Sequence, residues 1–115
     1  MGGRLDPPCE HMFVTSQGHA HARLRRALLT KNLTIIEAAA AQAGHLRLED
    51  ALAVLVVMAE KRDPRFERAA ARFAARVILE RRLSPAEGHR VLALAQGLPE
   101  APETTLILLR RVCDA

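Results

Sequence analysis

The chain has no tryptophan and no tyrosine, and three phenylalanines are its only aromatic residues. So few rings provide no stacking platform for bases or sugars. Cysteine is scarce too: Cys9 and Cys113, near opposite ends, cannot make a disulfide framework, so reduced thiols are expected. Long apolar runs are missing. The longest, Ala51–Ala59, has nine residues where a bilayer span needs about 20. The opening residues lack an apolar stretch of secretory length. Asp6 stands where a myristoylation signal needs Ser or Thr. Together these absences predict a cytoplasmic chain with no membrane anchor.

What the sequence does have is alanine, leucine and arginine. Hydrophobic residues make up 50% of 115, enough for one domain that buries roughly 60 to 70% of its unfolded surface. Ala and Leu are strong helix formers, and apolar residues recur at helical rather than strand spacing. The fold class expected is all-α: a compact bundle of about six short antiparallel helices around a buried third helix. Residues 1–17, with Gly2-Gly3 and Pro7-Pro8, read as a loose N-terminal arm before a helical domain over 18–115.

Start and stop signals divide that domain. The first helix is expected over about His19–Thr30, with Leu24, Ala27 and Leu28 inward. Asn32 caps a second over Leu33–Ala43, ended by Gly44 in the left-handed region. The third, Leu48–Lys61, carries Glu49 and Asp50 in its first turn, where the dipole favours them. Its core, Ala51–Ala59, is apolar on every side and must be wrapped by other helices. Asp63-Pro64 opens a fourth, with Phe66, Ala70, Phe73 and Val77 on one face. Ser84-Pro-Ala-Glu87 is a capping box for a fifth, which stops at Gly97. Leu106, Leu109 and Val112 mark the inward face of a sixth.

A net charge of +4 and a pI near 10.0 raise the question of an anionic partner, though Ala and Arg together also follow from a GC-rich bacterial genome. Arg65, Arg68, Arg72 and Arg76 recur every three or four residues, so they share one side of the fourth helix. Such a row can hold phosphates or an acidic protein surface. It can equally be a solvated face paired with Glu67 or Glu80. Arg23 and Arg26 of the first helix are candidates to extend the row.

Other motifs fail on spacing. Ile36–Leu46 has the turn of a helix-turn-helix, but the helix after it begins with two carboxylates and becomes apolar where a DNA reader must be basic. Cys9, His11, His19 and His21 lack the i, i+4 pairing or the paired cysteines of a metal site, so no metal and no cofactor are expected. No phosphate-cradling loop or nucleophile elbow is present. Cys113, beside Asp114 at the chain end, would be a poorly held nucleophile.

Arg26-Ala-Leu-Leu-Thr-Lys-Asn32, Leu48-Glu-Asp-Ala-Leu52 and Phe66-Glu-Arg-Ala-Ala-Ala-Arg72 give the chain a texture, over roughly 18–98, that resembles a group of small all-helical proteins from high-GC actinobacteria. The resemblance implies a bacterial cytoplasmic helical protein and carries no activity with it. The function expected is a non-enzymatic protein–protein interaction or regulatory module. Its partner would be another protein or a second copy of the chain. The alternative is a nucleic-acid-binding protein that uses the arginine face.

Overall fold

The computed structural model describes the backbone of residues 6–114 and the side chains of residues 18–114. The chain is all-helical, with no strand among the described residues. Its helices are α1 (Asp6–Thr30), α2 (Leu33–Ala43), α3 (Leu48–Glu60), α4 (Phe66–Arg81), α5 (Pro85–Gln96) and α6 (Pro102–Asp114). They fall into two compact units divided between Leu46 and Arg47. No helix among the described residues is long and apolar enough to cross a membrane.

In the first unit, α1 and α2 pack as a hairpin. The helix of α1 begins well before His19, reaching back into the stretch expected to be a loose arm. Pro7 and Pro8 fall in its first turn, where a missing N–H costs little. The side chains of 6–17, and residues 1–5 altogether, lie outside the described residues. Leu24 and Ala27 are buried as expected, facing the side where α2 contributes Ile36 and Ala39. Asn32 is the N-cap of α2, its side chain accepting from the Ile35 N–H at 3.2 Å. At the other end the Gly44 N–H donates to the Ala40 carbonyl. Gly44 has φ 75° and ψ −118°, not the left-handed helical basin expected for it. That pair mirrors the β region, which glycine reaches and L side chains avoid.

The second unit runs from α3 to α6. Leu52, Leu55, Val57, Met58 and Ala59 of α3 are buried, and the rest of Ala51–Ala59 is half-buried, so no residue of the run is exposed. Asp50 at N3 is buried too, at 7% exposure, with its Oδ2 3.6 Å from the Arg47 Nε. α4 buries Phe66, Ala70, Phe73, Ala74 and Val77, the face its periodicity predicts. Covering each Phe contributes about 1.5–3 kcal/mol. α5 approaches α4 closely at Gly88, where an added Cβ would stand 3.0 Å from the Ile78 Cδ1.

The inward line of α6 is Thr105, Leu109 and Cys113, with Leu106 and Val112 half-buried beside it. Leu109 is the centre of this face, as expected; Thr105 and Cys113 lie deeper than the Leu106 and Val112 that flank them. Burial pushes the Cys113 thiol up, only partly opposed by the positive charge of Arg81. A thiol held protonated is a poor nucleophile. Its cationic neighbour is Arg81 of α4, whose Nη2 donates to the Cys113 carbonyl.

Two carboxylates are tied to helix starts. Asp63 Oδ1 accepts from the Arg65 Nε at 3.0 Å and from the Arg65 backbone N–H at 2.8 Å. Asp63 Oδ2 accepts from the Arg65 Nη2 at 2.9 Å. The Asp63 carbonyl also accepts from the Phe66 N–H, a tight turn that delays the start of α4 to Phe66. The side-chain bond from Arg65, then its backbone N–H, draw the Asp63 pKa from 3.8 down to about 2. In α5 the capping box is complete. Glu87 accepts from the Ser84 N–H at 2.9 Å, and the Ser84 Oγ accepts from the Glu87 N–H at 3.2 Å. The Ser84 backbone N–H, then its hydroxyl, hold the Glu87 carboxyl below its ordinary value.

A depressed carboxyl stabilises the fold above its unfolded pKa and loses that contribution as pH falls through the folded one. Thermal stability is therefore expected to fall as pH drops from about 4 to about 2, the window Asp63 sets. Asp63→Asn should flatten that part of the curve in scanning calorimetry while leaving its neutral-pH shape intact.

Candidate functional site

One side of α4 faces the second unit's core, and the opposite side is solvent-exposed. Arg68, Arg72, Ala75, Leu79 and Arg82 follow at intervals of four, three, four and three residues, so they share one outer face. All five are exposed, Leu79 to 78%. Leu79 lies two turns beyond Arg72, about 10 Å along the axis. Ala75 is exposed between them, and Ala71 is exposed just before Arg72. Small side chains there leave the helix backbone open to close approach by a flat partner surface.

The four arginines expected to act as a row are not equivalent. Arg65 precedes the helix as its N-cap residue and is held in the two-pronged pair with Asp63. Arg76 is half-buried, its Nε 2.5 Å from the Glu80 Oε2 one turn on. Arg68 and Arg72 have no carboxylate partner among the described residues and are exposed. The ends of the row are thus structural and its middle is open. Two like charges one turn apart cost α4 about 0.2–0.5 kcal/mol, a cost that an anionic partner would relieve.

Arg23 and Arg26 belong to α1, in the other unit. Arg23 reaches across the hairpin and its Nη1 donates to the Gln42 Oε1. Arg26 is exposed, beside an apolar groove between α1 and α2. Of the histidine and cysteine residues considered for metal binding, Cys9 and His11 lie outside the described side chains. His19 is exposed and His21 half-buried, and no metal-holding group of three His, Cys, Asp or Glu occurs among the described residues.

Sequence reasoning missed Leu79. The signal was present: the buried face of α4 is 66, 70, 73 and 77, and position 79 falls off that line by about half a turn. A leucine on the polar side of an otherwise well-phased helix is the residue to question.

Compared with known protein families, curated proteins and solved structures, the chain matches none.

Proposed function

We propose that the chain is a non-enzymatic helical interaction module, and that it binds an acidic surface of a partner protein through the outer face of α4. The observation that carries this reading is Leu79, 78% exposed on the same face as the open cations Arg68 and Arg72. Burying a leucine of that exposure contributes about 1.5–3 kcal/mol, or roughly 10- to 150-fold in affinity. The guanidinium groups add orientation and on-rate rather than most of the energy. The composition rich in Ala and Arg and the free thiol of Cys113 support a bacterial cytoplasmic setting for the module, in keeping with the actinobacterial resemblance.

Nucleic acid is the second reading, and the same two arginines favour it. Phosphates have no use for Leu79 or the alanines beside it, and two contacts would give a salt slope of only about −2. Capture from nuclease-treated extract separates the two. The expected result is a protein retained by the wild-type chain and lost with R68E/R72E/L79S, while far-UV circular dichroism of the variant is unchanged. Retention of the same protein by the variant would sink the proposal. Tight binding of a labelled duplex that ignores Leu79→Ser would replace it with the nucleic-acid reading.

A further inference from the structure

The α1–α2 unit carries a second surface, independent of α4. A groove of about 490 Å³ runs between the two helices. Its floor is built from Ala27 and Thr30 of α1 and from Ile35, Ala38 and Ala39 of α2. The Thr30 hydroxyl donates to the Ala27 carbonyl at 2.6 Å and its oxygen accepts from the Asn32 backbone N–H at 3.1 Å, so it is engaged locally. Ile35 is a β-branched residue left 48% exposed. Small floor residues let a third helix approach to the 8–10 Å axial separation of ordinary helix packing.

The charge of the groove is one-sided. Arg23 and Arg26 stand along the α1 rim, and among the described residues no carboxylate lines the groove. Arg23 bonds only the neutral oxygen of Gln42 there, and a neutral acceptor leaves its charge uncompensated. Arg26 has no carboxylate partner among the described residues. We propose that this groove docks an amphipathic helix of a partner protein, with its apolar face over Ile35 and Ala38 and its Asp or Glu residues along the edge beside Arg23 and Arg26. The mode is helix-in-groove, read through anchors three and four residues apart. A second copy of this chain fits poorly. Groove laid on groove would bring four guanidinium groups together with no carboxylate in either lining.

The test uses the whole chain, ¹⁵N-labelled, and a synthetic helical peptide of roughly 18 residues, long enough to hold a helix. The peptide has Leu and Ala on one face and Glu along both flanks; its control has Lys for every Glu. Amide shifts are expected to cluster over residues 23–42 with the Glu peptide and to be absent with the Lys peptide. Arg26→Glu should weaken binding by about tenfold or more. Ala38→Trp fills the groove from an exposed position and should abolish binding, with circular dichroism unchanged. R68E/R72E should leave the affinity as it was, which separates this site from the α4 face. Several results would overturn the proposal. They are no shifts at millimolar peptide, shifts confined to α4, and equal binding of the Lys peptide. Association with anionic phospholipid vesicles in place of the peptide, lost with Arg26→Glu, would assign the groove to a membrane surface instead. Dimers seen by sedimentation and dispersed by Ala38→Trp would assign it to self-association.

Discussion

Leu52→Asp is expected to unfold the Arg47–Ala115 unit. Leu52 is 2% exposed in the middle of α3, within a run that has no exposed residue. Removing the leucine side chain from such a site costs about 2–5 kcal/mol. A carboxylate left there without a partner adds about 3–5 kcal/mol more. The nearby Asp50 shows what a buried acid on α3 needs: Arg47 stands 3.6 Å away, and the first turn of the helix supplies a favourable dipole. Position 52 is past that turn. The sum is comparable with the whole stability of a domain, about 5–15 kcal/mol. Far-UV circular dichroism should lose most of its helical signal, whereas Leu52→Ala should remain folded with its midpoint lowered by ten degrees or more. A midpoint for Leu52→Asp within about five degrees of wild type would mean that α3 is not the buried element described.

Gly44→Val should cost about 2–3 kcal/mol, and for a different reason. An added Cβ at Gly44 would meet no atom within 4 Å, so crowding plays no part. The cost is all backbone: φ 75° with ψ −118° is a conformation that a β-branched residue does not adopt without strain. Gly18 gives the matched control, since a Cβ there also meets nothing within 4 Å and its backbone lies inside α1. Gly18→Ala should therefore stabilise, by about 0.5–1 kcal/mol. Opposite signs in denaturant titrations of the two variants would verify the argument. A neutral Gly44→Val would refute the backbone conformation at the end of α2.

The contrast between these two glycines also marks what the sequence could and could not reveal. Helix ends were legible where a side chain closes the first turn, as Asn32 and the Ser84–Glu87 box do; Asp63 instead binds Arg65 in a turn ahead of α4, and the helix begins three residues after it with Arg65 as its N-cap residue. Core faces were legible where apolar residues are sparse enough to set a phase, as in α4. In α6 the face centred on Leu109 was legible too, but not that Thr105 and Cys113 would lie deeper than Leu106 and Val112, because depth depends on the neighbouring helices. Gly44 was recognisable as a helix stop, but its ψ depends on where the next segment must go. The pairing of Arg76 with Glu80 follows from i, i+4 spacing. The capture of Arg65 by Asp63 needed the turn geometry, because the spacing alone places Arg65 in the row. Leu79 is legible in phase, half a turn from the buried line of α4, and an exposed leucine beside the arginine row is the anchor that a docking face needs.

The three basic residues with positive φ make a related point. Lys31, Arg62 and Arg82 follow the ends of α1, α3 and α4, where glycine is the usual occupant. A cation there interacts favourably with the negative end of the helix dipole, which offsets part of the strain. Arg82 does so while also standing on the outer face of α4.

The most direct test of the proposed function is the affinity of the captured partner for Leu79→Ser alone, measured by titration calorimetry at two salt concentrations. Leu79 touches neither the core nor the charge count of the face, so the melting temperature should be unchanged. The expected result is a loss of about tenfold or more, of similar size at low and high salt, because the lost contribution is apolar burial. An unchanged affinity, with all sensitivity residing in Arg68 and Arg72, would contradict the claim that cations and leucine form one docking face.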